Sequence, residues 1–156
     1  MKHILLTLML LLLPLSLAAQ YDLAISKVLN GRYRKNKHTT NVEITRERLV
    51  EYHLDYYHSL TATDDEEIMD AISAAVMADE PLAIEKDFST IGAKLYYAFF
   101  QMKDDVPSTS SYRPVMHRYI FFRDMRQSPD HPAPTVTLIY MEGEATIDFL
   151  KRKFSR

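Results

Sequence analysis

Three residues with the types that bind metals lie close together in this chain: His53, Asp55 and His58. Their spacing does not complete a site. On a strand, His53 and Asp55 share one side while His58 points to the other, leaving two ligands where a structural metal takes about four. His117 could join them only from a neighbouring strand. Carboxylates cluster as Asp64-Asp65-Glu66-Glu67 and as Asp104-Asp105. The first group falls where a helix begins, at the positive end of its dipole, and the second in a polar loop where solvation accounts for it. No serine occupies a Gly-x-Ser-x-Gly elbow, and with only 3 glycines there are few places for an oxyanion loop or a phosphate cradle. The expectation is no catalytic residue, no cofactor and no metal. A hydrolase joining His117 or His58 to a carboxylate ranks last.

Two sets of residues suit binding better. Arg34, Lys35 and Lys37 crowd the basic stretch 32–38, and Lys151, Arg152, Lys153 and Arg156 repeat the theme at the C-terminus. Meeting on one side, they would form an anion-binding surface for a lipid headgroup or an acidic glycan; apart, they are a solvated loop and a helix end, the favoured reading. The aromatic residues are 10 tyrosines and 7 phenylalanines with no tryptophan. A row of Tyr96, Tyr119 and Tyr140 on an uncovered sheet face could hold a protein or a sugar. Half-buried packing across strands is the ordinary alternative.

These residues are carried by a chain with a recognisable start. Lys2, the apolar run Ile4 to Leu13, Pro14 and then Ser16-Leu17-Ala18-Ala19-Gln20 read as an export signal over residues 1–19, cleaved before Ala19 or Gln20. The run is shorter than the roughly 20 residues that span a bilayer, so no stable membrane anchor is expected after cleavage. The mature part, residues 20–156, is one domain of about 137 residues. Loss of Lys2 from 19 basic residues, against 21 acidic ones, leaves a net charge near −3, which argues against nucleic acid as a partner. There is no cysteine, so the core must hold the fold without disulfides, and a periplasmic or secreted location in a bacterium is expected.

The elements follow from periodicity. Residues 93–102, Ala93 to Met102, form a strand apolar on both faces, with Tyr96, Ala98, Phe100 and Met102 on one side and Leu95, Tyr97 and Phe99 on the other; such a strand belongs inside a sheet. Tyr21 to Asn30 is a short helix, and 32–38 a loop. Strands are expected over 42–45 and over 54–62, with Leu54, Tyr56, His58 and Leu60 on one face, and a helical turn over 46–52 between them. A helix begins at a capping box of Thr63 and Glu66 and ends at Pro81. Alternation over 84–90 and a turn at Gly92 give a hairpin into the central strand. A loop over 103–114 precedes strands over 115–124 and 135–141, joined by a turn with Pro129, Pro132 and Pro134. Thr146 caps a last helix with Ile147, Leu150 and Phe154 inward. The fold class is α+β: an antiparallel meander of about four to six strands, with two or three helices packed mainly on one face and a Tyr-rich patch left open.

Val42-Glu43-Ile44-Thr45, the segment 54–63 with Ser59-Leu60-Thr61, the capped helix, Lys94-Leu95-Tyr96-Tyr97 and Leu138-Ile139-Tyr140-Met141-Glu142-Gly143 together resemble small exported proteins of unknown function from Gram-negative gut-type bacteria. The resemblance implies origin and fold and carries no active-site residue. The leading expectation is a non-enzymatic exported domain that binds a protein or envelope component, or a second copy of itself, through an exposed aromatic part of its sheet. The alternative is a carrier of a small apolar ligand or lipid, with a cavity lined by Phe99, Phe121 and Met102.

Overall fold

The computed structural model describes residues 22–104, 115–128, 130 and 133–154. Six strands form one antiparallel sheet in the order β1-β2-β6-β5-β4-β3. They are β1 (Thr39–Thr45), β2 (Leu54–Thr63), β3 (Ala83–Ile91), β4 (Lys94–Met102), β5 (His117–Asp124) and β6 (Thr135–Gly143). Helix α1 (Ile25–Leu29) precedes them, α2 (Glu66–Asp79) joins β2 to β3, and α3 (Ile147–Phe154) follows β6. Strands β3 to β6 are the expected meander. The long crossover through α2 puts β3 at the far border of the sheet, opposite β1.

The sheet carries a core on each face, which is why its middle strands are apolar on both sides. On one face α1 and α2 bring Ile25, Leu29, Met69, Ile72 and Val76 onto Leu60, Ala98, Phe100, Phe122 and Leu138. On the other, α3 and the turn before β2 bring Leu49, Ile147 and Leu150 onto Phe99, Tyr119, Phe121, Ile139 and Met141. Two helices lie on one face and one on the other, and Phe154 of α3 stacks on Tyr57 with ring centroids 6.5 Å apart. The centre of the sheet is thus closed on both sides.

Several local details differ from the sequence expectation. The stretch 32–38 opens with a 3-10 turn, Arg32–Lys35, that buries Tyr33, and 46–52 forms two 3-10 turns, Arg46–Arg48 and Val50–Tyr52. Helix α2 is capped by Asp65, whose carboxylate accepts from the Ile68 amide at 3.1 Å, while Thr63 is still in β2. Asp64, at φ 57, makes the reversal between them. The register shift between Leu54 and Tyr56 moves Leu54 to the α3 face, away from Tyr56 and Leu60. A second shift skips Tyr96, so Leu95 joins Ala98 and Phe100 on the α2 face. Bulges of this kind reverse the alternation read from sequence. Gly92 takes φ 61 in the β3–β4 hairpin turn, a left-handed conformation that suits glycine. The expected export signal lies outside the described residues, as do Asp105, Arg156 and most of the loop 103–114.

Candidate functional site

The histidines and carboxylates are separated into unrelated structural pairs. His58 is fully buried. Its Nε2 lies 3.0 Å from the Asn41 side-chain nitrogen and its Nδ1 3.2 Å from the Tyr56 hydroxyl, which itself donates to Glu43 at 2.9 Å. Burial pushes the His58 pKa down, against the pull of Glu43. Asp55 pairs with Arg46 at 2.9 Å, and His53 adopts φ 53 with its ring edge on Phe149. His117 lies 3.3 Å from the Gln101 side-chain nitrogen and 3.8 Å from Asp104. Among the described residues no three His, Cys, Asp or Glu side chains come together as metal ligands.

A buried polar seam ties down the start of the domain instead. Asp79, at the end of α2, accepts from the Ala24 and Ile25 amides at 2.7 and 2.9 Å, satisfying donors at the beginning of α1. Burial raises the Asp79 pKa, and those two hydrogen bonds oppose the rise. Arg118 of β5 pairs with Asp22 at 3.0 Å and donates to the Lys103 carbonyl. In the sheet Arg118 faces Glu142, which accepts from Tyr140 at 2.7 Å. Each of these groups has partners within the fold, which makes the seam a fastening.

The residues singled out for binding are dispersed. Arg34 pairs with Glu43 at 2.9 Å, and Lys35 and Lys37 are exposed beside it. That turn packs by Tyr33 on the α2 face, whereas Lys151, Arg152 and Lys153 belong to α3 on the other face, so the two basic groups do not meet. Tyr119 and Tyr140 are both fully buried and on opposite faces, and Tyr96 is the half-buried residue skipped at the β4 bulge. The three tyrosines do not form a row, because β-sheet alternation and the bulge place them apart. Tyr119 donates to the Ala145 carbonyl at 2.6 Å and is a core residue. Phe99 and Phe121 pack edge to face at 5.9 Å, while Met102 lies on the other face, so these three do not line one wall.

Among the described residues the β3 border is the most continuously exposed part of the sheet. Every residue from Ile84 to Ile91 is exposed, with Ile84 at 62 %, Phe88 at 47 % and Ile91 at 43 %, and Leu82, just before β3, is exposed as well. Phe88 sits on the α2 face with its ring against Phe100, centroids 6.3 Å apart. Charges in an edge strand ordinarily deter pairing with another chain. Here they are engaged within the chain: Lys86 pairs with Glu80, and Lys151 of α3 lies 3.3 Å from Asp87 and 3.7 Å from Glu85. Alternation in the sequence revealed β3, but its border position depended on where the crossover lands.

A six-stranded antiparallel sheet with helices on both faces and an exposed edge strand at β3 defines an α+β domain. The chain belongs to a family of unknown function, DUF6108, whose model matches residues 12–154. No curated protein and no solved structure matches it. Among the described residues no helix is long and apolar enough to cross a membrane.

Proposed function

We propose that this is a non-enzymatic domain, exported to the periplasm or beyond, that holds a protein or envelope component by strand addition along β3. The observation that carries it is the β3 edge: a border strand paired only with β4 among the described residues, apolar at Ile84, Phe88 and Ile91, with its charges partly offset from within the fold by Glu80 and Lys151. Strand addition draws affinity from main-chain hydrogen bonds and specificity from alternate side chains, both of which this edge offers. The leader-like residues 1–19 support export.

The test is site-specific photo-crosslinking in the producing cell, with the probe at position 84, 88 or 50. Val50 is 68 % exposed but lies away from β3, in the turn before β2. Discrete products from positions 84 and 88, absent from position 50, are expected. Equal yields from all three would remove the reading. Mass spectrometry of the recovered chain should place its N-terminus at Ala19 or Gln20; an intact Met1 would sink the export half.

A further inference from the structure

We infer that the occupant of the β3 edge is a second copy of the chain, two β3 strands pairing antiparallel about a two-fold axis at Phe88 to make one continuous sheet. This rests on the strand-addition reading above and names its partner. Any extended strand can satisfy exposed backbone groups, so the choice of partner lies in the register. Facing residues in an antiparallel pair point to the same side of the sheet, so a two-fold axis normal to it must lie midway between a residue and its own copy.

Charge decides which one. An axis at Glu85, Lys86 or Asp87 sets that charge against its own copy, and like charges directly opposite are destabilising. An axis at Ser89 avoids this but pairs only residues 87–91. An axis at Phe88 pairs residues 85–91, with Asp87 facing Ser89, Lys86 facing Thr90, Glu85 facing Ile91 and Phe88 meeting its own copy. No like charges stand directly opposite; Asp87 lies diagonally across from its own copy on the α3 face, and each is held beside a Lys151. Residues 85–91 are also the uninterrupted part of β3: the register skips Ile84 at one end and Gly92 turns the chain at the other. Phe88 is their midpoint. The opposite border, β1, offers Val42 alone among the exposed large apolar residues.

A pairing this short lies at the small end of stable interfaces, so the dimer should be concentration-dependent, with a dissociation constant on the order of micromolar. The absence of cysteine makes single-cysteine variants of the mature chain unambiguous. In the proposed register two copies of position 88 have Cα atoms about 4.5–5.5 Å apart, within disulfide reach. Two copies of position 86, or of position 90, are roughly 14 Å apart. Mild oxidation should therefore give a covalent dimer from Phe88→Cys and little from Lys86→Cys or Thr90→Cys. Because Phe88 packs on Phe100, circular dichroism must show the variant folded, and a second pair of variants stands independent of that contact. Ile91→Asp, facing Glu85 of the other copy, should weaken the dimer at least several-fold by sedimentation, while Ile91→Lys should keep or tighten it.

Equal cross-linking at the three positions, or an unaltered chain that stays monomeric at hundreds of micromolar, would overturn self-pairing. In that event the cellular cross-links from positions 84 and 88 decide the broader reading: products with another protein keep it, and none removes both.

Discussion

Asp79 is the side chain on which the start of the domain depends. Its two oxygens take the Ala24 and Ile25 amides, and α1 has no side-chain cap of its own. Asp79→Asn keeps one acceptor but puts an NH2 donor against the other of the two amides and should cost about 1–3 kcal/mol in a denaturant melt, with α1 amides losing hydrogen-exchange protection first. His58 adds a pH dependence. Its folded pKa is lowered by burial, so as pH falls below its ordinary 6.5 the unfolded chain takes up a proton that the folded one resists. Stability from this residue is therefore present above that value and lost as pH drops toward the folded pKa. The raised Asp79 carboxyl works in the opposite sense, giving stability as pH falls. The two are separated by comparing melting temperatures of the native chain and His58→Gln between about pH 7 and 5: the native chain should lose more. Parallel curves would show that His58 does not govern this range.

The elements are set by alternation and corrected by bulges. The β2 register shift at Leu54 exists where Gly143 of β6 passes close to it; a Cβ on Gly143 would lie 2.4 Å from the His53 carbonyl oxygen and 2.6 Å from the Leu54 Cα. Backbone cannot step aside as a side chain tip can. Gly143→Ala should destabilise by about 1–3 kcal/mol, measured by thermal unfolding, with a folded far-ultraviolet spectrum retained at low temperature. The same logic of alternation explains why the tyrosines at 96, 119 and 140 do not form a row: Tyr119 and Tyr140 point to opposite faces and Tyr96 is skipped at the β4 bulge, relations that depend on register between strands. Thr63 and Asp65 are both good cap residues, two positions apart, and only the reversal at Asp64 makes Asp65 the cap of α2.

At the scale of the molecule, two cores share one sheet. Ile72 of α2 and Leu150 of α3 are each fully buried, on opposite faces, and the strands between them contribute to both cores. Ile72→Ala and Leu150→Ala should each cost about 2–5 kcal/mol, and each should lower a single cooperative transition seen alike by near- and far-ultraviolet dichroism. A separate early loss of the α3 face in Leu150→Ala would show that the two cores melt independently. The sequence by itself determined the α+β class, the two-faced interior strand, expected over 93–102 and found over 94–102, the hairpin at Gly92 and the ends of α1 and α2, because period and turn residues act over a few neighbours. Tertiary structure alone decided that β3 lies at the border, that the middle of the sheet is closed on both faces and that the basic groups lie apart. Those outcomes depend on which strands pair and where a crossover lands, and such long-range choices leave no local pattern in the chain.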